Sequence, residues 1–160
     1  MTLSQKIAAA LDARPAIGAL PCHVSVEEGP SRLTLTLTAA GPVGLAFDSL
    51  EFATTARPEW SPEALRGWAD RIVARVTYLM EPLVVLEQDK VGGEVALRSQ
   101  SPTPRLDRRA YYEVRLGPNG ALRLARVAFD ETTRLRRPAP CQMTIEVLER
   151  LVDDLVASVA

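Results

Sequence analysis

The amino-acid sequence predicts an α+β fold, an antiparallel sheet covered by helices on one face, with elements in the order α-βββ-α-ββ-ββ-α. Three observations lead there. Apolar residues recur at every second position in several segments and at every third or fourth in three others, which are the strand and helix periods. The strand segments come in runs joined by Gly/Pro turns, and helices stand between the runs. No internal repeat, low-complexity tract or long linker divides the chain, so residues 1–160 are expected to form one domain.

Thr2 and Gln5 have the spacing of a capping box, and Leu3, Ile7, Ala10 and Leu11 follow at helical intervals. A helix over 3–13 results, stopped by Arg14-Pro15. From Cys22 the period becomes two. Cys22, Val24 and Val26 alternate with His23 and Ser25, Gly29-Pro30 turns the chain, and Leu33, Leu35 and Leu37 alternate with Thr34, Thr36 and Thr38. A third strand starts at Val43, with Val43, Leu45 and Phe47 on one side. The phase slips at Asp48-Ser49 before Leu50 and Phe52 continue it, which predicts a bulge.

Trp60-Ser61-Pro62 marks a helix start: Ser61 caps, Pro62 suits the first helical position, and Trp60 can staple on Leu65. The apolar stripe from Leu65 to Met80 extends this helix over 62–80, and Glu81-Pro82 stops it. Leu83-Val84-Val85-Leu86 is a continuous apolar run, the pattern of a strand covered on both faces and central in its sheet. Gly92-Gly93 turns into a strand over 94–99. Residues 100–109 combine two prolines with basic residues and lack either period, so they read as a loop. A hairpin follows, 110–116 and 121–129 about Asn119-Gly120. Residues 134–140 read as irregular. Thr144 caps a closing helix over 145–158, with Met143 placed to staple on Leu148.

Composition narrows the function classes. The chain is 47% hydrophobic and 24% charged, with 19 basic against 20 acidic residues, a balance that does not favour a polyanion binder held by bulk charge. No apolar run approaches the roughly 18 residues that cross a bilayer, and the start lacks a secretory pattern, so a cytoplasmic protein without a membrane partner is expected. Cys22, Cys141 and the single His23 are too few for an ordinary zinc site. Reduced thiols fit such a compartment better than a disulfide.

No catalytic constellation stands out. His23 alternates away from the apolar face, and neighbouring strand residues such as Cys22 and His23 face opposite sides and cannot form a dyad. Glu146, Glu149 and Asp153 lie on a helix flank opposite its apolar stripe. Gly92-Gly93 lacks a following helix that would bind phosphate. No metal, cofactor or catalytic residue is therefore assigned, and the chain is not read as an enzyme. One regional asymmetry remains: residues 98–137 hold ten arginines against four acidic residues, while the rest of the chain sums to −7. Arg98, Arg108, Arg109, Tyr111 and Arg115 are its candidate contacts to a partner or an anion, with Tyr111, Glu113 and Arg115 on the wetter strand face. A surface ladder of charges accounts for the same arginines without any function.

The element order, with Cys22-His23-Val24 running into an alternating hairpin and Val91-Gly92-Gly93 between two strands after the second helix, resembles the class I type III secretion chaperones. The hairpin 110–129 and the basic stretch 98–137 depart from that compact pattern. The resemblance implies an α+β fold, a homodimer through the helix 62–80 side or its adjoining strand, and a hydrophobic surface for an extended partner segment. It implies neither cofactor nor catalysis. Three functions follow as expectations: a non-enzymatic protein-binding or chaperone-like adaptor; a small anionic-ligand-binding or enzymatic domain using Arg98, Arg109 and Arg115; and RNA binding through the arginine-rich hairpin.

Overall fold

A computed structural model describes residues 1–13, 20–89, 91, 93–100 and 108–159, with Arg108 by its backbone alone. The expected stop at Arg14-Pro15, Gly92 and most of the 100–109 loop lie outside the described residues. Its elements are α1 (Leu3–Asp12), β1 (Cys22–Glu28), β2 (Ser31–Ala40), β3 (Gly44–Thr54), α2 (Pro62–Arg75), β4 (Leu83–Gln88), β5 (Val95–Ser99), β6 (Arg108–Leu116), β7 (Ala121–Asp130), β8 (Arg136–Ala139), β9 (Cys141–Thr144) and α3 (Ile145–Ser158).

All strand pairs are antiparallel, in the order β1-β2-β3-β7-β6-β5-β4. The period-two pattern explains why this sheet has one apolar face. Val24, Leu35, Leu50, Leu124, Val114, Leu97 and Val85 are direct cross-strand neighbours in one row spanning every strand of the path. One residue along, the row is Ser25, Thr34, Glu51, Arg123, Arg115, Ala96 and Glu87, on the opposite face. The three helices cover the apolar row with Ile7 and Leu11 of α1, Trp68 and Ile72 of α2, and Leu148, Leu151 and Leu155 of α3, all buried. Burying side chains of this size contributes roughly 1.5–3 kcal/mol each, which makes the row the main stabilising feature. Among the described residues no helix covers the other face.

The caps form where expected. Thr2 Oγ1 accepts from the Gln5 amide at 3.2 Å while Gln5 Oε1 accepts from the Thr2 amide at 2.9 Å. Ser61 caps α2 and Thr144 caps α3. Trp60 stacks on Trp68, ring centroids 4.6 Å apart, and Trp68 donates to Ser158 Oγ at 2.9 Å, which ties α2 to α3.

The bulge at Asp48-Ser49 is present: Leu35 opposes Leu50 and Leu37 opposes Phe47, which leaves two residues of β3, Asp48 and Ser49, against Thr36 of β2. Its consequence was not legible in the sequence. β3 pairs with β7 only over Ser49–Ala53; beyond the bulge the two diverge, and β8 and β9 fill the gap, β8 on β7 and β9 on β3. Residues 134–140 are therefore not irregular throughout, and the order gains two short strands. Pro138 fits because β8 is paired on one side only, so its missing N–H removes no ladder bond.

Three other expectations are corrected. α2 ends at Arg75, not at 80; Val76 and Leu79 keep the spacing of the stripe and are buried, but non-helical chain delivers them, and Tyr78 is drawn to α3 by its bond to Asp154 Oδ2 at 2.6 Å. β4 is not central: it pairs with β5 alone and forms an edge. Its apolar run divides between core (Leu83, Val85), the open face (Val84) and a bulge at Leu86, where Val85 opposes Leu97 and Glu87 opposes Ala96. Val43 precedes β3 and is exposed, since the Gly41–Gly44 turn carries it away from the sheet.

Candidate binding groove on the open face

The helix-free face is polar toward β1 and β2 and becomes apolar and basic toward β4. The register shows why. The row Val84, Arg98, Glu113, Ala125 and Ser49 crosses β4, β5, β6, β7 and β3, and the row Arg109, Phe129, Arg136 crosses β6, β7 and β8. Between them lies Tyr111, opposite Val127. Of these, Val84, Arg98, Arg109, Tyr111, Phe129 and Arg136 line a groove of about 890 Å³, with Met80, Glu81, Pro82 and Leu86 also on its wall.

Tyr111 corrects an expectation. It sits on the predicted wetter face yet is only 8% exposed, because the Arg98 guanidinium lies 4.4 Å and that of Arg136 5.9 Å from its ring centroid. Both arginines hold one carboxylate. Glu113 Oε1 accepts from Arg98 Nη2 at 3.3 Å and from Arg136 Nη2 at 2.5 Å. The bond to Glu113 raises the Arg136 pKa further above its ordinary value. Arg109 pairs with Glu131 at 2.7 Å.

Two buried polar atoms on residues of this wall have no hydrogen-bond partner among the described residues: Glu81 Oε2, on a residue 6% exposed, and Arg98 Nε. Two backbone irregularities also border it, the Leu86 bulge and Met80, whose φ of 56° places a non-glycine residue in the left-handed region. Such features concentrate at functional sites, where surrounding structure holds them in place.

Of the residues singled out from the sequence, Arg98, Arg109 and Tyr111 meet in the groove. Arg115 does not. It lies four residues beyond Tyr111 along β6, exposed and directly opposite Arg123, and borders a smaller cavity of about 240 Å³. The backbone of Arg108 pairs with Asp130, and its side chain lies outside the described residues. Arg136, Glu81, Phe129 and Leu86 were missed. Arg136 had no strand signal to orient it, whereas Glu113 was visible from its phase with Tyr111.

The remaining titratable groups are dispersed. His23 is exposed on the open face with Nδ1 3.3 Å from Thr36 Oγ1. Both cysteines are free; Cys141 is buried, and burial pushes its thiol up to about 12. Among the described residues no group of three His, Cys, Asp or Glu side chains is placed to hold a metal ion, and no helix is long and apolar enough to cross a membrane. Comparisons of the chain with protein-family models, with curated proteins and with solved structures found no match.

Proposed function

We propose that the chain is a non-enzymatic binding domain, a chaperone-like adaptor of the cytoplasm that receives an extended segment of a partner protein in the groove on its open face. The observation that carries this reading is the groove itself, where Val84, Leu86, Tyr111 and Phe129 supply apolar contact beside three arginines, on the one sheet face without helices. The groove crosses from the edge strand β4 over β5, β6 and β7 to β8, and an extended chain laid in it sends alternate side chains into it while the others stay in water. The bulge at Leu86 interrupts the β4 edge, so recognition proceeds through side chains in the groove more than through an added strand. The resemblance to class I type III secretion chaperones implies the same kind of activity. Homodimerisation belongs to this proposal as well, through the α2 side or its adjoining strand.

Immobilised protein presented with an array of N-acetylated random dodecapeptides tests the reading. Wild type retains a defined subset; Val84→Ser with Leu86→Ser loses it while the melting temperature holds. Retention unaffected by that pair would place binding elsewhere. A second reading, a small anionic ligand, draws on Arg98 and Arg109 meeting in one cavity. A thermal-shift screen with organic acids and nucleotides decides it, since a ligand at 100 times its Kd stabilises by about 2.7 kcal/mol. Light scattering reads the oligomeric state, and a strict monomer retaining no peptide counts against the whole proposal.

A further inference from the structure

We infer that the groove selects acidic polypeptide segments: an Asp or Glu side chain of the bound chain is seated by Arg98 and Arg136 above Tyr111, and a backbone N–H of the same segment donates to Glu81. This rests on the polypeptide-binding reading above and names the chemistry of the partner.

Charge balance is the first argument. Arg98 and Arg136 share the single carboxylate of Glu113, through one oxygen, and among the described residues neither has a second ion-pair partner. Arg109 is occupied by Glu131 on the surface. A guanidinium presents a fork of N–H donors, and each of these two spends one terminal nitrogen on Glu113, leaving donors for a second carboxylate. Arg98 Nε is already buried without an acceptor. Tyr111 beneath both guanidiniums holds them in place before any ligand arrives.

Glu81 decides the class of ligand. Its Oε2 is buried at the groove wall and lacks a donor among the described residues. The repeating phosphodiester backbone of a nucleic acid offers acceptors alone, which Glu81 repels. A polypeptide brings both complements, amide N–H donors along the backbone and a carboxylate on the side chain, and its aliphatic parts suit Val84, Leu86 and Phe129.

The same dodecapeptide array, with every Asp/Glu member matched by an Asn/Gln twin, tests the inference. Wild type is expected to retain acidic members about tenfold more tightly than their twins, the effect of one charge-assisted hydrogen bond. Arg136→Gln abolishes the preference, and Arg98→Gln does so independently. Arg136→Lys keeps part of it, with less discrimination because the fork is lost. Glu81→Gln weakens acidic and neutral peptides alike. Twins retained equally by wild type overturn the inference and leave the binding reading standing. No peptide retained overturns both. Displacement of bound peptide by polyuridylate, with affinity that falls steeply as salt rises, replaces the polypeptide with nucleic acid.

Discussion

Glu113 Oε1 accepts from Arg136 Nη2 at 2.5 Å, a bond that runs from β6 across β7 to β8. The Glu113 side chain is 18% exposed and that of Arg136 49%, so water screens one partner more than the other. Beyond the β7 ladder, this contact fixes the short strand that carries Arg136 into the groove. Glu113→Gln leaves two guanidiniums without their counter-charge and is expected to destabilise the fold by about 1–2 kcal/mol in urea titration. The double variant with Arg136→Gln is expected to recover part of that loss, and strict additivity would show that the two side chains are not coupled.

A tight backbone approach gives a sharper test. Gly120, at φ +82°, ends the β6–β7 turn with its carbonyl accepting from the Thr54 amide at 3.0 Å. A Cβ there would lie 2.5 Å from the Thr54 carbonyl oxygen and 3.1 Å from Trp60 Nε1. The oxygen is backbone in a paired strand and has nowhere to go. Gly120→Ala is expected to destabilise by about 2 kcal/mol or more, from left-handed strain and collision together, with altered tryptophan fluorescence as Trp60 shifts. A loss under about 0.5 kcal/mol, the range of an ordinary surface substitution, would contradict the close approach.

These two sites also show what was legible in the sequence. The Asn119-Gly120 turn, the capped helix starts at Thr2, Ser61 and Thr144, and the slip at Asp48-Ser49 are local chemistry, and each lies where its residues predict. Arg98 and Tyr111 were visible as candidates because a strand period assigns them a face. Other features depend on partners distant in sequence. β8 exists because the bulge in β3 vacates the β7 edge, and no strand propensity in Arg-Arg-Pro-Ala announces it. Leu83–Leu86 looks like a doubly covered strand because an apolar groove and a core ask for the same residues. α2 stops early although Val76 and Leu79 preserve helical spacing, since tertiary burial overrides local preference.

Alkaline pH is expected to unfold the protein, with a sign to which Cys141 and Tyr78 contribute alongside Tyr112, whose phenol pKa burial also raises. Burial pushes the Cys141 thiol up to about 12, and burial together with the bond to Asp154 raises the Tyr78 phenol well above its ordinary value. Both native groups hold their protons more tightly than the unfolded chain, where thiol and phenol titrate at about 8.5 and 10. Their contribution is therefore complete below about pH 8.5 and declines as pH rises from there toward 12 and beyond. Urea midpoints at pH 7, 9, 10 and 11 measure it. Tyr78→Phe is expected to lower stability by about 1 kcal/mol at pH 7, through loss of the bond to Asp154, and to flatten the decline above pH 10. An unchanged slope in that variant would remove Tyr78 from the account.

One pair on the open face works against the fold. Arg115 and Arg123 are both exposed and directly opposite each other on β6 and β7. Like charges in this position repel, and Arg123 has Glu51 as its neighbour on the other side while Arg115 faces Ala96. Arg115→Glu converts the repulsion into an attraction at a residue that does not line the groove itself but borders the smaller cavity shared with Arg98, Glu113 and Arg136. The variant is expected to be more stable by about 0.5–1 kcal/mol at low ionic strength. Because both side chains are exposed, most of that gain should vanish by 1 M salt, where charges are screened within about 3 Å. Thermal melts at low and high salt separate this from a packing effect, which salt would leave intact. If peptide retention also survives Arg115→Glu but not Arg136→Gln, the basic region divides into a ligand-facing part and a part that only charges the surface.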